Sequence, residues 1–219
     1  MDDIEKNSMG LADFPNRLGN ILLTGASGSG KSAIGRQSAK LLGLGFLDLD
    51  ELIEAASARK ISEIFATEGE LVFREYEAKI LLSLQNIRSH VIAVGGGALL
   101  SAEAYETAKK IGPIVWIQSS AMEISRRLFK RVGEMEKRPL FKDLVGEENH
   151  ELRREGIRQR VQKMMDERRS WYSQADVVLD GSYVTPEMAA QHLKDILVSE
   201  GLMKADHKRF ASWHRKGSS

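Results

Sequence analysis

The sequence of 219 residues contains no cysteine, which excludes disulfide bonds, thiolate metal sites and a cysteine nucleophile. Positive and negative side chains nearly cancel, with a formal net charge of +1 at pH 7. No overall field would therefore attract nucleic acid or an anionic membrane. No apolar run approaches the roughly 20 residues that span a bilayer. We expect a cytoplasmic protein with neither a nucleic-acid nor a membrane partner.

The composition, with 42% hydrophobic and 29% charged residues, is typical of one globular domain with a sizeable core. The N-terminal residues are polar and acidic and have no apolar centre, so they do not resemble a secretory signal. The predicted organisation is an N-terminal extension at 1–18, a domain at 19–200 and a polar C-terminal tail at 201–219.

A glycine-rich turn, Gly25-Ala26-Ser27-Gly28-Ser29-Gly30-Lys31-Ser32, separates the apolar run 21–23 from a helical pattern over 33–43. This is the pattern G-x-x-x-x-G-K-S in the strand, turn and helix context that it requires. Its glycines let backbone N–H groups point at phosphate oxygens, and the helix adds the positive end of its dipole. Lys31 would contact the β- and γ-phosphates, and the Ser32 hydroxyl would ligate Mg²⁺. The turn therefore predicts a nucleoside triphosphate site rather than a flexible surface loop.

Two carboxylates follow in the segment 46–50, Phe-Leu-Asp-Leu-Asp, which is predicted as a second strand. Asp48 and Asp50 would share one face of that strand because side chains alternate along it. The end of a parallel strand also lies near a phosphate loop that follows a neighbouring strand. The alternative is that Asp50 is only the N-cap of a helix over 51–57.

A long helix is predicted over 70–87, with Phe73, Arg74 and Glu77 on one side and Glu70 four residues before Arg74. An exposed ion pair between Glu70 and Arg74 would contribute only ~0.2–0.5 kcal/mol. The alternative is that the Arg74 guanidinium faces a substrate carboxylate, for which its planar fork is suited.

Three glycines, Gly95-Gly96-Gly97, follow the apolar run 91–94, which is predicted as a buried parallel strand. At the carboxyl end of such a strand, glycines would let a ligand touch the backbone. Helices near 101–110, 121–131, 151–171 and 186–199 and strands at 114–117 and 176–180 continue the alternation. This alternation predicts an α/β fold.

The segment 132–150 interrupts the alternation with mixed charge, chain breakers and the sequence Arg138-Pro139-Leu140. It is either a solvated linker or a mobile lid that brings an arginine to a transferred phosphoryl group. The helix over 151–171 that follows carries many arginines, most of which are predicted to lie on a solvated face.

In chain order, these features resemble the shikimate kinase family from about residue 20 to residue 198. Many families share the phosphate loop, whereas the segments 46–54 and 64–70, Phe73-Arg74 and the spacing Arg168-x-x-x-Tyr172 carry the closer likeness. The resemblance implies a three-layer α/β/α P-loop fold with a five-stranded parallel sheet and a mobile lid. It also implies ATP-dependent phosphorylation of the 3-hydroxyl of shikimate, with Mg²⁺, in aromatic amino-acid (chorismate) biosynthesis.

The resemblance also implies roles for individual residues. The catalytic residues would be Lys31, Asp50 and Arg138, and Asp50 would accept a hydrogen bond from the 3-hydroxyl. The nucleotide would contact Gly28, Ser29, Gly30, Lys31, Ser32, Ala33 and Arg127, with Arg127 stacked on adenine. Shikimate would contact Asp50, Arg74, Gly95, Gly96, Gly97 and Arg168, and Phe65, Phe73 and Glu77 would line or support its pocket. Mg²⁺ would be held by Ser32 and, through water, by Asp48.

The sequence departs from the family pattern at two places. The segment between Arg127 and Arg138 is longer than in compact members, so Arg131 competes with Arg138 as the lid arginine. Bulkier residues follow Arg168, so Arg168 and Arg169 could exchange roles. The rival functions are phosphorylation of gluconate or a cyclitol on the same fold, and a catalytically silent domain that senses a ligand. We expect a monomer whose partners are small-molecule substrates.

Overall fold

The computed structural model describes residues 19–129, 141, 144, 149–183 and 185–203. The strands are β1 (Ile21–Thr24), β2 (Gly45–Asp48), β3 (His90–Ala93), β4 (Ile114–Gln118) and β5 (Val177–Asp180). The helices of the described residues are α1 (Lys31–Leu42), α2 (Leu49–Ser57), α3 (Ile61–Thr67), α4 (Gly69–Ser83), α5 (Ala102–Ile111), α6 (Ala121–Phe129), α7 (His150–Tyr172) and α8 (Pro186–Ser199). A 3₁₀ turn, Leu84–Asn86, extends α4.

The strands form one parallel sheet in the order β2-β3-β1-β4-β5. Apolar residues alternate between its two faces, since Leu22 and Ile92 pack in a cluster with residues of α2 to α5. Leu23 and Val91 face the opposite way and pack against α1 and α8. Both faces are therefore covered by helices, which explains why the strands read as continuous apolar runs. The predicted three-layer α/β/α fold is confirmed.

A third apolar cluster joins α6 to α7 beside the sheet. Ile124 and Leu128 of α6 pack there with Val161 and Met164 of α7, and Phe141 is buried among them. This packing holds α7 along the edge of the domain, so its charged residues can reach the carboxyl ends of the strands.

Two predicted boundaries are wrong near the acidic pair. The second strand ends at Asp48, and α2 begins at Leu49 rather than Glu51. Asp48, not Asp50, is the N-cap, because its side chain accepts a hydrogen bond from the Asp50 backbone N–H. The reason is burial: Leu49 and Ile53, one helical turn apart, are both fully buried, which places Leu49 inside the helix.

Parts of the predicted organisation lie outside the described residues. These are the two terminal segments, 1–18 and 204–219, and most of the predicted lid, including Arg138. The rival arginine, Arg131, also lies outside the described residues. At the end of the predicted lid, Asn149 and His150 belong to α7 as its N-cap and first residue. Within the described part of the chain, no helix is both long and apolar enough to cross a bilayer.

Candidate active site

A cleft of about 1600 Å³ lies at the carboxyl ends of the central strands. Strand β1 pairs with β3 on one side and with β4 on the other, so the strand order reverses around it. Ligands of open α/β sheets bind at such a switch point. The phosphate loop after β1 and the glycine turn after β3 both line the cleft, which therefore has a nucleotide end and an acceptor end.

The nucleotide end is built mainly from backbone. Gly28 and Gly30 have φ values of 87° and 102°, a left-handed conformation that glycine adopts without steric cost. The turn that they form leads directly into α1, which begins at Lys31, and its first residues line the cleft. The Lys31 ammonium donates hydrogen bonds to the carbonyls of Gly25 and Ala26, at 2.9 and 3.1 Å. The cation thus lies against the loop, where a polyphosphate would meet it.

Arg127 of α6 closes the far side of this end. Its guanidinium donates to the Ser29 carbonyl at 3.0 Å and to the Gly181 carbonyl at 2.5 Å. It also pairs with Glu123 at 3.0 Å. Arg127 therefore bridges the phosphate loop and the turn after β5, beside the position at which the family resemblance expects adenine.

Oxygen ligands suitable for Mg²⁺ meet between the loop and β2. The Ser32 hydroxyl donates to Asp48 Oδ2 at 2.6 Å, and Asp48 Oδ1 accepts from the Asp50 backbone. Protein Mg²⁺ sites commonly use one or two such oxygens and complete the shell with phosphates and water. Among the described residues, no group of three or more His, Cys, Asp or Glu side chains is placed to hold a metal. The Ser32 and Asp48 pair fits a phosphate-bound ion rather than a site made of protein ligands alone.

The acceptor end is built from side chains, of which Arg74 of α4 is central. It pairs with Glu70 at 2.7 Å and with Glu77 at 2.5 Å. The ring of Phe73 lies under the guanidinium of Arg74, with a distance of 5.4 Å from Arg74 Cζ to the ring centroid. The same ring packs at an angle against the ring of Phe65, and the two ring centroids are 4.7 Å apart. The predicted ion pair between Glu70 and Arg74 forms. Arg74 also lines the cleft, and its contact with a substrate carboxylate stays a prediction.

Burial and ion pairing have opposite effects on the pKa values of Glu77 and Arg74. Glu77 is only 3% exposed, and burial raises its pKa although the Arg74 charge and hydrogen bond lower it. For Arg74, burial lowers the pKa, but the charges and hydrogen bonds of Glu77 and Glu70 outweigh it and the pKa is raised. The guanidinium therefore stays charged in a partly desolvated position, as the binding of an anion requires.

The glycine turn after β3 lets these groups approach one another closely. A Cβ on Gly95 would lie 2.6 Å from Glu77 Oε1 and 3.5 Å from Asp50 Oδ1. A Cβ on Gly97 would collide with the Arg74 guanidinium. Any larger residue at either position would displace the acceptor end, so the glycines are required by close approach of side chains as well as by any ligand.

Most of the predicted site residues meet in this cleft. Its lining includes Gly28, Gly30, Lys31, Ser32, Ala33, Asp48, Asp50, Phe65, Phe73, Arg74, Gly95, Gly96, Arg127 and Arg168. Ser29 is fully buried within the loop. Gly97 and Glu77 line a neighbouring cavity of about 430 Å³, together with Arg74 and Arg168. Arg138 lies outside the described residues.

The neighbouring arginines of α7 have different surroundings. Arg168 lines both the cleft and the smaller cavity. Arg169 is 71% exposed and pairs with Asp166 at 3.5 Å. Of the two arginines, Arg168 is therefore the one at the acceptor end.

Sequence reasoning missed other α7 residues that line the cleft, namely Arg160, Lys163, Met164 and Glu167. They share one face of the helix, since Lys163, Met164 and Glu167 lie three, four and seven positions after Arg160, and Arg168 lies four positions after Met164. Helical spacing counted from Arg160 was the signal that could have found them. Tyr183, which also lines the cleft, lies in a turn where no such periodicity exists.

The fold and the cleft define an α/β P-loop protein whose cleft has a phosphate loop at one end and two arginines, Arg74 and Arg168, at the other. The model of the shikimate kinase family matches residues 27–197. The shikimate kinase of Chlorobium chlorochromatii is 38% identical over 160 residues, covering 73% of this chain and 80% of that protein. The shikimate kinase of Chlorobium limicola is 39% identical over 157 residues, covering 72% and 75%. This chain belongs to the shikimate kinase family.

Solved structures agree with this membership. The shikimate kinase of Acinetobacter baumannii in complex with shikimate has a TM-score of 0.73 and 30% identity, covering 85% of this chain and 96% of that chain. The shikimate kinase of Aquifex aeolicus has a TM-score of 0.65 and 28% identity, covering 84% and 98%. A gluconokinase of Sinorhizobium meliloti, at a TM-score of 0.50 and 20% identity, shares the fold alone.

Proposed function

We propose that this chain transfers the γ-phosphoryl group of ATP to the 3-hydroxyl of shikimate, forming shikimate 3-phosphate for aromatic amino-acid biosynthesis. The observation that carries the proposal is that one cleft contains a phosphate loop with Lys31 and, beyond Asp50, the two guanidinium groups of Arg74 and Arg168. Family membership and the relative described in complex with shikimate support the same acceptor.

The nucleotide phosphates bind the loop N–H groups and Lys31, which exchanges its carbonyl partners for phosphate oxygens. Adenine lies against Arg127, beside the turn after β5. Ser32 would hold Mg²⁺ through its hydroxyl, and Asp48 would hold it through water. When bound, the ion neutralises charge on the β- and γ-phosphates.

The acceptor carboxylate binds Arg74 and Arg168, and the ring lies over the backbone of Gly95 to Gly97. This pose turns a ring hydroxyl towards Asp50, which orients it and accepts its proton as the new O–P bond forms and ADP leaves. Positioning supplies most of the acceleration, because phosphoryl transfer needs little covalent chemistry from the protein.

The lid arginine of the sequence interpretation, Arg138, would reach the transferred phosphoryl group and stabilise its charge. Arg131 stays the rival candidate for this role. A cytoplasmic location and a monomeric state stay predictions of the sequence.

The proposal is tested by a coupled ADP-release assay with ATP and Mg²⁺, using shikimate, quinate and gluconate as acceptors. We expect turnover with shikimate and a product that mass spectrometry and ³¹P NMR identify as shikimate 3-phosphate. Asp50→Asn should lower kcat by about 10²–10⁴-fold, and Lys31→Ala by at least about 10²-fold. Asp195→Asn, the same chemical change at an exposed residue of α8 that does not line the cleft, is the matched control and should keep parental turnover.

Two outcomes would contradict the proposal. ATP binding without turnover of any acceptor would favour a catalytically silent, ligand-sensing domain. Preferential turnover of gluconate or a cyclitol would favour a related kinase built on the same fold.

A further inference from the structure

Tyr172, the last residue of α7, has no role in the proposed reaction as described so far. It is only 4% exposed, and its hydroxyl donates a hydrogen bond to the Gly96 carbonyl at 2.7 Å. Its ring stacks on Trp116 of β4, with centroids 5.7 Å apart and an interplanar angle of 27°. The ring is thus anchored in the core, and the hydroxyl alone reaches the acceptor end.

The same hydroxyl lies near the guanidinium of Arg168, one helical turn earlier on α7, because a Cβ on Gly96 would lie within 3.4 Å of both groups. Burial raises the pKa of Tyr172 by more than the charge of the nearby Arg168 lowers it. The phenol therefore stays protonated at neutral pH. A protonated phenol can donate to the Gly96 carbonyl and accept from the guanidinium at the same time.

Gly96 marks the point where these groups converge. A Cβ there would lie 3.3 Å from the Tyr172 hydroxyl and 3.4 Å from Arg168 Nη1. It would also lie 2.9 Å from the Gly25 carbonyl of the phosphate loop. The Tyr172 hydroxyl, the Arg168 guanidinium and the Gly25 carbonyl therefore all lie within 3.4 Å of the point where a Gly96 side chain would begin.

We propose that Tyr172 is a positioning residue for acceptor binding, because its hydroxyl fixes Arg168 relative to the Gly96 turn. The inference rests on the proposed function, in which Arg168 binds the acceptor carboxylate. Without the hydroxyl, the Gly96 carbonyl loses a buried donor. The Arg168 side chain also regains rotamer freedom that acceptor binding would then have to remove.

The test is Tyr172→Phe, which keeps the ring on Trp116 and removes only the hydroxyl. We expect the KM for shikimate to rise about 5- to 20-fold, because the turn beside Arg168 loses one buried hydrogen bond and Arg168 is no longer fixed before the acceptor binds. The KM for ATP should stay within about twofold and kcat within about threefold, because the hydroxyl touches neither the nucleotide nor the reacting hydroxyl.

The matched control is Tyr105→Phe. Tyr105 of α5 is 3% exposed and its ring packs on Trp171, but its hydroxyl has no hydrogen-bond partner among the described residues. Removing that hydroxyl should leave both KM values and kcat within error of the parent and should not lower Tm, because it takes away a buried polar group without a partner among the described residues. A rise in the KM for shikimate in Tyr105→Phe as well would mean that the effect is not specific to Tyr172.

A second measurement distinguishes an effect on the position of Arg168 from an effect on the conformation of the turn at Gly96. Shikimate and its uncharged carboxamide analogue are titrated calorimetrically into the parent and Tyr172→Phe, without turnover. If Tyr172 acts through Arg168, the affinity penalty of the variant should be large for the carboxylate and about twofold or less for the amide.

The inference is overturned if the KM for shikimate changes less than about twofold, or if both ligands lose affinity equally. It is also overturned if the two KM values rise together with a fall in Tm, or if the variant does not fold. Failure of the proposed function is distinguishable, because the parent would then show no turnover of shikimate.

Discussion

The two ends of the cleft are built in different ways. The nucleotide end comes largely from one contiguous stretch, residues 25–33, whose backbone and glycine conformations form the phosphate site. The acceptor end assembles side chains from α2, α4, the turn after β3 and α7. The first depends on local backbone geometry, whereas the second depends on how separate elements pack.

The cations at the two ends are also held differently. Lys31 lies against two neutral carbonyls, which it can exchange for phosphate oxygens. Arg74 is clamped by two carboxylates, one of them the buried Glu77, and so is positioned before an acceptor arrives. Changes at the nucleotide end should therefore reduce kcat, whereas changes at the acceptor end should raise the KM for shikimate.

The largest effect expected from this comparison is at Ser32. Ser32→Ala removes the hydroxyl proposed to ligate Mg²⁺, and we expect kcat to fall by at least about 10²-fold. The Mg²⁺ concentration needed for half-maximal rate should rise, which a Mg²⁺ titration of the ADP-release assay measures. Ser32→Thr keeps a hydroxyl, as the loop motif allows, and should stay within a few-fold of the parent. Equal losses in the two variants would show that the hydroxyl is not the important group.

At the acceptor end, Arg74→Ala should raise the KM for shikimate by about 30-fold or more, because it removes a guanidinium from a partly buried anion site. The KM for ATP should change by less than about threefold. Steady-state kinetics with each substrate varied in turn measure both values. The control is Arg169→Ala, since Arg169 is exposed on α7. A similar increase in the KM for shikimate and the KM for ATP would contradict the claim that the two ends of the cleft bind their ligands separately.

Gly97→Ala tests the close packing of the acceptor end. The new methyl group would collide with the Arg74 guanidinium, so we expect the KM for shikimate to rise about tenfold. The same substitution in an Arg74→Ala background should have much less effect, because the collision partner is gone. Kinetics of the two single variants and the double variant complete this cycle. Additive effects would mean that Gly97 acts independently of Arg74.

The nucleotide end was largely predictable from the sequence for a physical reason. Its ligands are neighbours in the chain, and the glycine-rich turn lies between a strand and a helix whose patterns are both local. The parallel sheet was predictable too, because strands buried on both faces are continuous apolar runs. Residue type and position alone made Asp50 and Arg74 candidates, and the family resemblance supplied their roles and added Arg168. These three residues lie on three separate helices, so no local pattern groups them.

Packing decided what the sequence did not predict. Asp48 and Asp50 are equally good N-caps by residue type, and the burial of Leu49 selects Asp48. The Tyr172 hydrogen bond joins residues 76 positions apart, so it depends on how α7 lies against the sheet. The same orientation places Arg160 and Lys163 among the residues that line the cleft, which the sequence did not predict.

The smallest predicted effect concerns pH and the clamp on Arg74. Burial of Glu77 raises its pKa above the ordinary 4.5, so the folded state holds this proton more tightly than the unfolded state does. The stability that protonated Glu77 contributes is therefore fully present below 4.5 and is lost as pH rises through the raised pKa of the folded state. Glu77→Gln removes this titration and keeps the side-chain volume.

Urea unfolding of the parent and Glu77→Gln from about pH 4 to about pH 7 measures this effect. The unfolding free energy of the parent minus that of the variant should fall as pH rises above 4.5. A rising difference would instead mean that the attraction of Arg74 outweighs burial, so that the folded state favours the ionised carboxylate. The ion pair with Arg74, rather than burial, would then be the dominant influence on Glu77 at the acceptor end.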